Sequence, residues 1–138
     1  NQSVSAVFFW LIALPAASAA AYGLYARIRH TSHAWGWKLQ RITGAFLLVM
    51  VPAHFLFMHL NPQMAKDAAL VALRMQNPWI KLVDAALVAA VLYHGGYGVI
   101  SIINDTIGSK ELRKVAAAAV IAAMSALSIL GLKLILSI

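Results

Sequence analysis

Apolar residues fall into four long blocks separated by polar links. A helix needs about 20 mainly apolar residues to cross a bilayer, and residues 5–26, 41–60, 79–103 and 115–136 each meet that requirement. The pattern predicts an all-α integral membrane bundle of four transmembrane helices, in one domain spanning residues 1–138. The first block resembles a signal peptide in its position. No basic region precedes it and its positive residues follow it, so it reads as a retained helix. The link around 64–76 mixes Leu70, Val71, Leu73 and Met75 with polar residues between the turn pairs Asn61-Pro62 and Asn77-Pro78. It reads either as a short interfacial helix or as a surface loop.

Composition removes other classes. Hydrophobic residues make up 62% of the chain and charged residues 11%, whereas soluble domains are about half apolar and a quarter charged. Soluble and disordered classes are thereby excluded. Eleven Lys and Arg against four Asp and Glu give a net charge of +7. In a membrane chain this reads as topology, not as nucleic-acid binding. The first link carries Arg27, Arg29, Lys38 and Arg41, and the third carries Lys110, Arg113 and Lys114. The middle link carries only Lys66, Arg74 and Lys81. The bias puts residues 27–41 and 104–114 on the cytoplasmic side, with both termini outside. The absence of cysteine rules out disulfides, zinc-thiolate sites and iron–sulfur ligation by these residues.

In so apolar a chain, polar residues inside spans are the candidates for function. Lys133 reads as a snorkelling lysine near the outer end of its helix. Asp84 reads as structural or interfacial. His59, beside Asn61 and Pro62, reads as an interfacial anchor or a hydrogen-bond partner, and is a lesser ligand candidate. His54 and His94 lie deeper. His94 is about 15 Å of helix from both Asp84 and Asp105, and His54 is about 20 Å from Arg41. An imidazole at that depth is hydrogen-bonded, lines a water path or binds a metal, and haem iron suits it. Gly95, Gly96 and Gly98 next to His94 would let a flat macrocycle or a neighbouring helix approach the backbone. The two histidines could share one haem, since their estimated depths differ by only a few ångströms, or each could bind a separate haem with a histidine from a second chain. Pro52 is expected to bend the second helix.

The inner ends suggest a second site. Asp105 and Ser101 lie on nearly the same helical face as His94. Trp35, Trp37, Lys38, Gln40 and Arg41 form an aromatic and basic cluster, which reads either as an interfacial belt or as a wall of a quinone pocket. Quinone reduction takes up two protons with two electrons, so a carboxylate, a hydroxyl and cationic donors near water suit it.

These residues resemble a known family. Gln40-Arg41-Ile42-Thr43-Gly44, nine residues, then His54 is similar to the Arg-x-[Ser/Thr]-Gly…His helix of the cytochrome b subunits of succinate:quinone oxidoreductase and fumarate reductase. Leu92-Tyr93-His94-Gly95-Gly96-Tyr97-Gly98 with Ile103-Asn104-Asp105 resembles their His-x-x-x-Gly…Asp helix. The run from Ala53 to Leu60 resembles the actinobacterial and diheme-type anchors. The resemblance covers roughly residues 37–114.

The resemblance implies a small membrane anchor of a respiratory complex II, in a bacterial cell membrane. It would hold a flavoprotein with FAD and an iron–sulfur protein at the membrane, pair with a second anchor subunit, and pass electrons to quinone.

 The catalytic dicarboxylate site would lie on those partner subunits. His94 would ligate haem b, and His54 matches the position that ligates a second, distal haem in diheme members. Asp105 and Arg41 match quinone-site or interface positions. Ser101 and Trp37 join them as candidates on the strength of the helical face and the cluster.

The chain departs from the family in three respects. Thr106 follows Asp105 where single-haem relatives often have Tyr, so the hydroxyl that contacts quinone there is missing or comes from a partner. Gln40 stands where large anchors often have His. Four spans exceed the usual three of a small anchor. Two other readings stay open: a haem-free anchor that binds quinone directly, and a non-redox helical membrane subunit using Asp84, His94 and Asp105.

Overall fold

The computed structural model describes residues 2–137, and the side chains of residues 2–5 and 65 are outside that description. The described residues are helical and contain no strand. Four long helices, α1 (Gln2–Ile28), α2 (Trp35–Leu60), α4 (Pro78–Thr106) and α5 (Lys110–Ser137), are joined by tight connections. A 3-10 turn, Pro62–Ala65, and a short helix, α3 (Ala68–Met75), fill the middle link. Each long helix contains a segment long and apolar enough to cross a membrane.

Local chemistry sets the ends. Asn61 closes α2 by donating from its side-chain Nδ2 to the Phe57 carbonyl at 2.9 Å. Asp67 opens α3, its Oδ1 accepting from the backbone N–H groups of Ala69 and Leu70 at 2.9 and 3.4 Å. Asn77 opens α4 by accepting from Trp79 N–H at 2.9 Å, with Pro78 in the first turn, where its missing N–H costs nothing. The helix of the middle link therefore begins at Ala68, later than residue 64. Pro62 starts a 3-10 turn, and only Asp67 satisfies the free amides of an α-helix.

Hydropathy placed the start of the second span at residue 41, but α2 begins at Trp35. An apolar window finds the part of a helix that prefers hydrocarbon. The helix itself runs on through interfacial residues whose backbone is satisfied in either medium. The basic connections are correspondingly short: residues 29–34 between α1 and α2, and residues 107–109 between α4 and α5. Pro52 sits inside α2, which is one continuous helix across it.

α2 packs against α1 on one side and α4 on the other, and α5 packs against α4. The core lies in the half of the bundle near the middle link. Ala6, Trp10, Ala13, Leu14 and Ala17 of α1 meet Met50 and Phe57 of α2 and Ile80 and Val83 of α4. Their α1 spacing of three and four residues is one helical stripe. Phe57 is the hub, with ring centroids 5.3 Å from Phe9 and 5.8 Å from Trp10. Arg74 of α3 is buried here, its guanidinium 5.4 Å from the Phe57 ring. No described residue of α5 is buried. The opposite half, where the basic connections lie, holds Gln40, Arg41, His94, Ser101 and Asp105.

Candidate functional site

His94, on α4, faces the first half of α2. Its Nδ1 lies 2.9 Å from the Gln40 carbonyl oxygen. A carbonyl only accepts, so Nδ1 is the donor, and in the neutral ring the lone pair is then on Nε2. The Thr43 hydroxyl stands 3.5 Å from the same nitrogen and 3.0 Å from the Gln40 carbonyl. Gln40 returns a bond through its side chain, with Nε2 donating to the His94 carbonyl at 3.4 Å. The imidazole is pressed against the α2 backbone at Gly44: a Cβ there would lie 3.0 Å from His94 Cε1. Any larger residue at this position would require the ring to shift by at least a few tenths of an ångström.

This packing corrects one expectation. His94 is level with Gln40, Thr43 and Gly44, while His54 lies ten residues beyond Gly44 on α2, or about 15 Å along the axis. The two histidines are therefore not at similar depths, and they do not flank one iron within this chain. The estimate from distances to helix ends failed because α2 and α4 are offset along their axes. His54 is half-buried near the middle link, its ring 6.2 Å from that of Phe55. It has no hydrogen-bond partner among the described residues. His59 and Lys133 are exposed, and Asp84 is half-buried.

A polar cavity of about 390 Å³ opens at the basic end between α2 and α4. Trp37, Gln40 and Arg41 line it from α2, and Tyr97, Gly98, Ser101, Asn104 and Asp105 from α4. The four residues singled out as a second site, Asp105, Arg41, Ser101 and Trp37, thus share one cavity. Their positions follow from antiparallel packing: i, i+4 spacing puts Trp37 and Arg41 on one face of α2, and Ser101 and Asp105 on one face of α4. Arg41 lies over the Trp37 ring at 3.8 Å, and His33 stacks on the same indole at 3.9 Å. Lys38 is buried, donating from Nζ to the Arg29 carbonyl at 2.9 Å and lying 4.5 Å from the Trp35 ring centre. It ties the connection down and does not reach the cavity lining.

Tyrosines complete the α2–α4 contact, a role not singled out in the sequence. Tyr93 donates to the Gly36 carbonyl at 2.9 Å and stacks with Tyr97 at 5.9 Å. Their four-residue spacing on the helix of His94 was the available signal. The glycines after His94 serve helix approach in two cases. Gly96 faces Met124 of α5, and Gly98 faces the side chain of Gln40. A Cβ on Gly95 would meet nothing within 4 Å.

The residues present fit a haem at His94. A histidine whose Nδ1–H is held by a backbone carbonyl has the tautomer and ring orientation that iron ligation through Nε2 requires. No group of three or more His, Cys, Asp or Glu gathers as a metal site among the described residues, but a haem would need only a single histidine nitrogen from this chain.

The sequence model of the succinate dehydrogenase/fumarate reductase transmembrane subunit family matches residues 19–131. The chain belongs to this family. It is a membrane anchor and a multi-pass membrane protein, in keeping with its four long apolar helices. The anchor is also similar to a succinate dehydrogenase hydrophobic membrane anchor subunit of Archaeoglobus fulgidus, with 36% identity over 70 residues. That alignment covers 51% of this chain and 60% of the relative. No solved structure matches the anchor.

Proposed function

We propose that the anchor carries electrons from an iron–sulfur subunit to membrane quinone, with haem b at His94 and the quinone ring in the polar cavity. One observation carries this reading. Gln40 joins the two sites, since its backbone carbonyl holds the His94 imidazole and its side chain lines the cavity. A redox group at His94 would therefore lie one residue away from its acceptor, the close approach that electron transfer needs.

Haem, when bound, supplies reversible one-electron storage. The chain's own residues do the rest. Gln40 and Thr43 fix the His94 ring. Arg41 and Ser101 bring donors to the cavity, suited to quinone carbonyl oxygens that gain charge on reduction. Asp105, exposed at the cavity wall, is placed to pass protons from water.

The basic end faces the cytoplasm in this reading, by the positive-inside bias, and both termini lie outside. A flavoprotein with FAD and an iron–sulfur protein dock there, and succinate or fumarate chemistry takes place on them. A second anchor chain would provide the other histidine for that haem, because His54 is too far from His94 to do so. His54 would hold a second haem, nearer the opposite surface.

Purification of the intact complex tests the reading. A haem b spectrum together with flavoprotein and iron–sulfur subunits on a gel is expected. A complex with those subunits and no Soret band would reject the haem assignment, and absence of the subunits would reject the whole reading.

A further inference from the structure

A second cavity lies behind the polar one. A groove of about 620 Å³ runs between α4 and α5, lined by Ala89, Tyr93, Gly96, Tyr97, Met124 and Ser125 among others. Its size lies within the range of small-molecule sites, about 300–1,000 Å³. Its walls are almost wholly apolar, whereas the cavity at the basic end is mostly polar. Tyr97 lines both.

The two cavities succeed one another along α4. Eight residues separate Asp105 from Tyr97 and eight more separate Tyr97 from Ala89, about 12 Å each. A ligand following this path has its polar part at the aqueous boundary and its apolar part in the hydrocarbon layer. Tyr97 sits where the two meet. Its ring reaches the first turn of α2: a Cβ on Gly36 would lie 3.0 Å from Cε2 and 3.5 Å from the hydroxyl. That hydroxyl has no hydrogen-bond partner among the described residues, whereas the neighbouring Tyr93 hydroxyl is engaged by Gly36.

We propose that Tyr97 is the threshold of a two-part quinone site: its hydroxyl donates to the ring in the polar cavity, and the α4–α5 groove holds the polyprenyl tail. The inference rests on the quinone reading above and goes beyond it, committing the groove to an isoprenoid chain. The groove gives a long-tailed quinone an advantage over a tail-less one through apolar burial alone.

The test uses the purified complex in lipid nanodiscs with two acceptors that share a ring, one polyprenylated and one tail-less. Ala89→Trp and Ser125→Trp fill the groove from exposed positions outside the polar cavity. Each is expected to raise KM for the polyprenyl quinone about tenfold, the effect of losing burial of one or two methylenes, and to leave the tail-less acceptor unchanged. Tyr97→Phe is expected to lower kcat/KM for both acceptors. Groove variants that affect both acceptors equally, or neither, overturn the tail route. A lipid chain or a second membrane subunit then occupies the groove.

Asp105→Leu separates the two levels of the argument. If it impairs both acceptors while the groove variants fail to discriminate, only the tail route falls. If it leaves both turnovers normal, the quinone reading falls with it. Photolabelling of the unmodified complex with a quinone bearing an azide on its tail gives a readout independent of variant folding. Labelled peptides from α4 and α5 support the proposal, and labelling confined to other segments overturns it.

Discussion

His94 Nδ1 is 2.9 Å from the Gln40 carbonyl oxygen. The bond ties a polar side chain of one helix to the main chain of another and decides which imidazole nitrogen is free. It also sets His94 level with Gln40, ten or more residues of α2 away from His54.

If His94 holds a haem as proposed, His94→Ala is expected to abolish that haem and His54→Ala to leave it in place. Pyridine haemochrome counts on purified complexes check this. Loss of one and the same haem in both variants contradicts the separation of about 15 Å that the helix register gives.

Gly44→Val is expected to displace the His94 ring, because even a Cβ at Gly44 would lie 3.0 Å from Cε1. Overpacking of this kind costs roughly 1–3 kcal/mol. The haem midpoint potential should shift or its occupancy fall, as followed by redox titration of the Soret band. An unchanged titration curve would show that Gly44 does not position the ring.

Lys38→Met removes the bond from Nζ to the Arg29 carbonyl and keeps most of the apolar stem. Hydrogen bonds to charged groups contribute about 1.5–3 kcal/mol. The α1–α2 connection should loosen, and trypsin should cut after Arg29 faster than in the unmodified complex. Equal cleavage rates would argue that the aromatic contacts alone hold the connection.

Asp67→Ala takes away the acceptor for Ala69 and Leu70 N–H, a loss of about 1 kcal/mol for a helix cap. Amide exchange across α3 should quicken, with α2 and α4 unaffected. Asp67→Asn should restore much of the protection, since its side-chain oxygen also accepts.

Part of the site was legible in the sequence. Asp105, Ser101, Trp37 and Arg41 were picked out by their helical faces and their place at the membrane boundary, and they share a cavity. The burial of Arg74 was not legible: in the sequence it is one more cation in a polar link. The structure puts it against Phe57, with its Nε among the buried atoms that lack a partner. Tyr97 was hidden for a similar reason. An aromatic in a span is ordinary, and its interest comes from the two cavities on either side of it.

The sequence by itself determined four membrane-length helices, their basic connections and the small set of polar residues inside them. Hydropathy and charge are properties of the residues one after another, so they need no partner to be read. The tertiary structure decided the rest: that His94 is level with Gln40 while His54 is not, that Gly44 makes room for an imidazole, and that Tyr97 stands between a polar cavity and an apolar groove. Those relations depend on how far α2 and α4 are offset along their axes and on which face α5 covers. Periodicity assigns a residue to a face of its own helix, but only packing sets one helix against the next.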